Sequence, residues 1–149
     1  WVPIFNLGWW AFKLFLIDRS DQESAIKTIQ AATENTIEDQ RSVALAPEGT
    51  RSATGELLPF KKGPFHLALE GRLPIYPIVM CGAAEAMPKH TFWAHPKPIH
   101  VRFLPNISTD AWERDRLDEH IEEVRAQMLV AYAELRDQAG LPAITPSCQ

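Results

Sequence analysis

Residues 42–52 read SVALAPEGTRS, and this stretch decides the predicted fold. Its first part, residues 42–46, is an apolar run of strand length, and a turn containing glycine and hydroxyl side chains follows directly. A continuous apolar run is typical of a strand that is buried on both faces, as the strands of parallel sheets are. Ligands bind beyond the carboxyl ends of such strands, so residues 47–52 are predicted to lie at the ligand-binding edge of the sheet.

The rest of the chain alternates between strand and helix patterns. Further strands are predicted at the apolar runs 14–18 and 73–80, and at residues 99–103, whose alternating pattern indicates a half-exposed strand. Helices are predicted over 21–39, 64–71 and 110–138, and Ser20 with Glu23 forms a capping box before the first of them. Pro64 suits a first helical turn, and Pro77 indicates a strand end or an edge strand. The alternation predicts an α/β fold: a mainly parallel sheet flanked by helices, with an apolar N-terminal helix and a long C-terminal helix.

The predicted C-terminal helix has one apolar stripe and one charged face. Its stripe consists of Leu117, Ile121, Val124, Met128 and Leu135. Residues 116–127, which read RLDEHIEEVRAQ, are interpreted as a solvated charged face rather than a catalytic carboxylate pair. Gly140 and Pro142 are expected to end the helix. Residues 1–142 are therefore predicted to form one domain, and residues 143–149 a loose tail.

Composition excludes several classes of protein. The chain has 149 residues, of which 46% are hydrophobic, so it can bury a substantial core and is not a disordered chain. Its net charge of −4 gives no electrostatic basis for binding nucleic acid. Cys81 and Cys148 fit no metal or redox spacing and are interpreted as reduced thiols of a cytosolic protein. Because the sequence begins with Trp1, it is expected to be a fragment or a processed product.

The first 17 residues are almost entirely apolar and allow two interpretations. The run is shorter than a bilayer-spanning helix and is interrupted, for example by Pro3 and Lys13. It has no basic region or cleavage site typical of a signal peptide. Phe5, Trp9, Phe12 and Leu16 fall at helical spacing. They can form a helix buried against the sheet, or an aromatic surface that rests on a membrane.

Cations and a glycine-containing turn lie close together in the sequence at the predicted sheet edge, and Lys61, ten residues after Arg51, is on a loop that can fold back over the same edge. Arg51 has a planar guanidinium that suits two phosphate oxygens, and Gly49 permits a sharp turn with a close approach of its N–H to a ligand. Glu48 is expected to orient Arg51 or to accept a hydrogen bond from a substrate hydroxyl. The predicted substrate-binding residues are Arg19, Glu48, Gly49, Thr50, Arg51 and Lys61, with the cations among them forming a local anion site. The competing interpretation is an ordinary surface turn with solvated charges.

Four ordered segments resemble blocks of the glycerolipid acyltransferase family, in particular the lysophosphatidic acid acyltransferases. They are IDRS at 17–20, PEGTRS at 47–52, PFKKG at 59–63 and PIYPIV at 74–79. One family block is missing: an Asn-His-x-x-x-x-Asp segment that carries the catalytic His and Asp. None of the five histidines, His66, His90, His95, His100 and His120, is followed five positions later by Asp. We therefore expect the missing block to precede Trp1, and we assign no catalytic residue in this chain.

The resemblance implies transfer of a fatty acyl group to the free hydroxyl of lysophosphatidic acid, giving phosphatidic acid. The implied donor is an acyl thioester, either acyl-CoA or acyl-carrier protein, and the acceptor is a lysophospholipid or glycerol phosphate. No metal or other cofactor is implied, and His66 is interpreted as a packing residue. The expected location is the cytoplasmic face of a membrane, peripheral or anchored by a missing N-terminal segment. The alternative is a non-catalytic module that binds anionic lipid or a membrane.

Overall fold

A computed structural model describes residues 42–52, 54–88, 91 and 93–142. The chain divides into two compact units, Trp1–Val43 and Ala44–Gln149, and all the described helices and strands belong to the second. Its helices are α1 (Gly63–Gly71), α2 (Ala83–Ala86) and α3 (Leu117–Gln138), its strands are β1 (Ile78–Cys81) and β2 (His100–Phe103), and a 3-10 turn covers Arg114–Arg116. The predicted N-terminal helix, the strand over 14–18, the helix over 21–39 and the tail over 143–149 lie outside the described residues.

The two described strands pair antiparallel, with Ile78 opposite Phe103 and Cys81 opposite His100. The prediction of a mainly parallel sheet is wrong for this pair. A parallel pair needs a crossover that returns the chain to the start of the first strand, usually through a full helix. Among the described residues between β1 and β2, the single-turn helix α2 is the one regular element, and the chain enters β2 in the opposite direction.

The prediction of a strand over residues 42–46 is also wrong in the described structure. This run has no regular secondary structure, and Leu45 is 42% exposed. Apolar composition favours burial, but a strand also needs a partner with which its backbone can pair. No described strand pairs with this run.

The short helix and the Pro77 signal are confirmed. Helix α1 has Pro64 in its first turn and ends at Gly71, and it buries Phe65 and Leu67. Strand β1 begins immediately after Pro77, where the missing N–H of proline no longer interrupts the ladder. The backbone chemistry of proline therefore accounts for the start of α1 and the start of β1.

Helix α3 supplies most of the core of the second unit. All five residues of the predicted stripe are buried: Leu117, Ile121, Val124, Met128 and Leu135. They cluster with Val79 and Cys81, which form the inner face of β1, and with Phe60 and Phe65. Cys81 is a free thiol, as expected, and burial raises its pKa.

Helix α3 begins later than the predicted residue 110. Thr109 is buried, and its hydroxyl donates to the carbonyl oxygens of Ala68 at 3.3 Å and Leu73 at 3.2 Å. The Trp112 N–H donates to the Thr109 carbonyl, so this segment turns before the helix starts. The end at Gln138 agrees with the prediction, and Gly140 follows with a φ of +63°.

Strand β2 alternates as expected, with half-buried His100 and Arg102 and exposed Val101 and Phe103. Arg102 lies on the side of α3, where its guanidinium donates to Glu134 at 2.7 Å and to Gln138 at 2.8 Å. These bonds tie the strand to the helix. Among the described residues, no helix combines the length and apolar character needed to cross a bilayer.

Candidate functional site

Residues 46–49 form a tight turn that is closed by a backbone hydrogen bond. The Gly49 N–H donates to the Ala46 carbonyl at 3.1 Å, and Pro47 occupies the second position, where its fixed φ suits a turn. Gly49 has a φ of +68°, a left-handed conformation that strains any residue with a Cβ. The backbone of this turn therefore depends on glycine at position 49.

The loop carrying Lys61 folds back onto this turn, as the sequence predicted. The Lys61 N–H donates to the Pro47 carbonyl at 2.8 Å. A Cβ on Gly49 would lie 3.5 Å from Lys61 Cγ, so the two residues are neighbours. Thr50, Arg51 and Lys61 are exposed, and within the described ranges Arg51 forms no ion pair. Among the described residues, no carboxylate forms an ion pair with either Arg51 or Lys61.

Glu48 faces the protein rather than the exposed side of the turn. Its Oε2 accepts a hydrogen bond from the Leu58 N–H at 2.8 Å. Burial raises the pKa of the Glu48 carboxyl, while the Leu58 hydrogen bond and the charge of Arg125 partly oppose that rise. The structure therefore gives Glu48 a backbone partner, Leu58, instead of the Arg51 contact that was one of the two roles predicted from the sequence.

Arg125 of α3 contacts the same loop, and sequence reasoning missed it. Its Nε donates to the Leu58 carbonyl at 3.3 Å and its Nη2 to the Leu57 carbonyl at 3.2 Å. The interpretation of 116–127 as a solvated face is wrong for this residue. One signal was available: Arg125 lies four residues after Ile121 and three before Met128, so it borders the buried stripe.

A second contact from α3 holds the start of this loop. Tyr132, two turns beyond Arg125, donates from its hydroxyl to the Gly55 carbonyl at 2.6 Å. Arg136 in turn donates to the Tyr132 hydroxyl at 3.4 Å and to the Pro142 carbonyl at 2.9 Å. Burial raises the pKa of the Tyr132 phenol, which keeps it protonated and able to donate. Helix α3 therefore fastens the 55–58 segment at two places.

The histidines of the described residues lie elsewhere in the fold, and one predicted site residue falls outside the described part of the chain. Arg19 lies outside the described residues. His66 is half-buried on α1, while His120 is buried on α3 and stacks on Trp112 with ring centroids 4.8 Å apart. In the part of the chain that the structure describes, no three His, Cys, Asp or Glu side chains group as metal ligands would.

Comparison with known proteins identifies relatives over most of the chain. The family model described as Acyltransferase matches residues 1–81. A 1-acyl-sn-glycerol-3-phosphate acyltransferase of Limnanthes alba is 40% identical over 124 residues, which cover 83% of this chain and 44% of that protein. The enzyme of that name from Saccharomyces cerevisiae is 40% identical over 134 residues, covering 87% and 44%. The alpha form from Mus musculus is 32% identical, covering 91% and 48%.

A solved structure shares the fold. The crystal structure of the 1-acyl-sn-glycerophosphate acyltransferase from Thermotoga maritima matches with a TM-score of 0.67 and 22% sequence identity. The match covers 75% of this chain and 45% of that one. The chain thus spans less than half the length of each of these relatives.

Proposed function

This chain belongs to the Acyltransferase family, and from that premise we propose that the complete protein transfers a fatty acyl group to lysophosphatidic acid, giving phosphatidic acid. The relatives named as 1-acyl-sn-glycerol-3-phosphate acyltransferases support this acceptor. The donor we propose is an acyl thioester, acyl-CoA or acyl-carrier protein. Because the acceptor is a lipid, we place the reaction at the cytoplasmic face of a membrane.

The observation that carries the proposal is the pairing of the 46–49 turn with the Lys61 loop. The bond between the Lys61 N–H and the Pro47 carbonyl brings a lysine beside the turn that presents Thr50 and Arg51. A phosphate bound there receives a hydroxyl and two cations. Fixing the phosphate orients the acceptor hydroxyl toward the carbonyl of the acyl thioester. Such positioning lowers the activation barrier of acyl transfer, because it makes a bimolecular reaction effectively unimolecular.

The residues of this chain perform only the binding half of the reaction in our proposal. The attacking hydroxyl must lose its proton to a general base, a step worth roughly 10²- to 10⁴-fold in rate. The sequence has no His followed five positions later by Asp, the pair to which the family resemblance assigns this step. We therefore propose that these 149 residues alone bind the acceptor but transfer acyl groups slowly, if at all.

The test is Arg51→Ala in the complete protein, with steady-state kinetics for each substrate. A charge-assisted hydrogen bond contributes about 1.5–3 kcal/mol, so the KM for lysophosphatidic acid should rise roughly 10- to 150-fold. The KM for the acyl thioester should stay within about twofold. Arg116→Ala is the matched control, because Arg116 is exposed, lies in the 3-10 turn before α3 and pairs with Glu119 in the first turn of α3. An unchanged acceptor KM in Arg51→Ala would refute the proposed phosphate contact.

A further inference from the structure

We infer that Arg125 is a positioning residue of the proposed acceptor site: from α3 it holds residues 57–58 and Glu48, and so fixes the turn that presents Arg51. The inference rests on the proposed function, because it concerns how the acceptor's phosphate is placed. Arg125 lies more than 40 positions beyond the matched residues 1–81 of the Acyltransferase family model. Only the folded arrangement brings it to the loop.

The first link is the two-carbonyl contact of the guanidinium. Arg125 Nε and Nη2 donate to the consecutive carbonyls of Leu58 and Leu57 at 3.3 and 3.2 Å. These two donors belong to one rigid planar group, so together they fix both the position and the direction of the 57–58 backbone. The side chain is 24% exposed, and its carbonyl bonds are therefore less exposed to competing water than those of a surface arginine.

The second link passes through Leu58. Its carbonyl accepts from Arg125, while its N–H donates to Glu48 Oε2 at 2.8 Å. The charge of Arg125 also favours the ionised Glu48 carboxylate. Arg125, Leu58 and Glu48 thus form a continuous series of contacts from α3 to the turn.

The third link is the direction of the turn itself. With the Glu48 carboxylate held inward, the exposed Thr50 and Arg51 follow Gly49 at the surface. The other side of the turn is held by the Lys61 N–H on the Pro47 carbonyl. Without Arg125, the first of these two restraints is weakened, and the turn samples more conformations before the acceptor binds. Ordering it then opposes binding, which appears as a higher acceptor KM.

Tyr132 keeps the expected effect local. Its bond to the Gly55 carbonyl still attaches the start of the loop to α3 when Arg125 is changed. The core stripe of α3 lies on residues that Arg125→Met does not alter. The variant is therefore expected to fold and to lose order in the 57–58 segment and in the turn.

The experiment compares Arg125→Met, Arg125→Lys and Glu48→Gln with Arg116→Met in the complete protein. Arg125→Met should raise the KM for lysophosphatidic acid about tenfold, as expected when hydrogen bonds from a charged guanidinium are lost. The KM for the acyl thioester should stay within about twofold. Arg125→Lys should recover only part of that loss, because an ammonium lacks the planar fork. Glu48→Gln combined with Arg125→Met should have a smaller effect than the product of the single changes, since both act through one contact series.

Hydrogen exchange of the Leu58 amide provides a readout that does not depend on turnover. Arg125→Met should speed this exchange and leave the amides near Ile121 unchanged, whereas Arg116→Met should alter neither. An unchanged acceptor KM or an unchanged Leu58 exchange rate in Arg125→Met overturns the inference. The proposed function is judged separately by Arg51→Ala: if Arg51→Ala raises the acceptor KM and Arg125→Met does not, the proposed function stands and the inference fails.

Discussion

The substitution Gly49→Ala tests whether acceptor binding depends on the conformation of the 46–49 turn or only on the overall stability of the protein. Gly49 has a φ of +68°, and among the described residues a Cβ there would contact Lys61 Cγ alone, at an ordinary 3.5 Å. The substitution therefore causes no steric clash, but it strains the backbone, because a residue with a Cβ pays about 1–2 kcal/mol to adopt a left-handed conformation. Gly140→Ala is the matched control, because Gly140 has a φ of +63° and, apart from its chain neighbours, no described residue lies within 4 Å of the added Cβ.

The two variants should lose similar stability but differ in acceptor use. If the turn relaxes to relieve the strain, the binding-competent conformation loses at most the same 1–2 kcal/mol. The acceptor KM of Gly49→Ala should therefore rise several-fold, with an upper limit of about 5- to 30-fold, while that of Gly140→Ala stays unchanged.

The assay is denaturant unfolding together with acceptor and donor KM values for both variants of the complete protein. Equal increases of acceptor KM in the two variants would contradict this reasoning, because Gly140 follows α3 and takes no part in the turn. Normal acceptor KM in a destabilised Gly49→Ala protein would also refute it, since the strained turn would then not affect binding.

Two further predictions concern the core and the pH dependence of stability. Ile121→Ala should destabilise the protein by about 2–5 kcal/mol, because Ile121 is 4% exposed and lies in the core. Val130→Ala should change stability little, because Val130, on the same helix, is 62% exposed. Urea unfolding measures both changes, and equal losses of stability would contradict the burial pattern. Burial raises the pKa of Glu48 above its ordinary 4.5, so the folded protein binds this proton more tightly than the unfolded chain. The stability contribution of Glu48 therefore falls as pH rises from about 4.5 through the raised value, and Glu48→Gln, which cannot titrate, should become more stable relative to wild type on going from about pH 4 to pH 7. Unfolding curves at the two pH values measure this difference, and a change in the opposite direction would show that the carboxylate is stabilised on folding.

Features governed by neighbouring residues could be predicted from the sequence. Pro64 fits the first turn of α1 and Pro77 sets the start of β1, both through local backbone chemistry, whereas the left-handed residue that caps the end of α1 is Arg72 rather than a glycine. The apolar stripe of α3 is likewise visible because helical period places its members on one face. The fold-back of Lys61 was predicted from the presence of a loop after the 47–52 turn, and the bond to the Pro47 carbonyl confirms it.

Features governed by distant pairing could not be predicted in the same way. The apolar run 42–46 resembles a strand, but whether it pairs depends on partners elsewhere in the chain. The direction of β2 depends on the path of the 82–99 connection, which has no strong period. Arg125 looked like one charge among many, because its partner, the Leu58 carbonyl, lies 67 residues away in the sequence.

The most direct test of the central claim is the position of the acceptor's phosphate in a structure of the complete protein with a lysophosphatidic acid analogue bound. We expect phosphate oxygens at hydrogen-bond distance, about 2.7–3.2 Å, from the Arg51 guanidinium, with Glu48 still bonded to the Leu58 N–H. A phosphate bound elsewhere, with no contact to the Glu48–Arg51 turn or to Lys61, would contradict the claim.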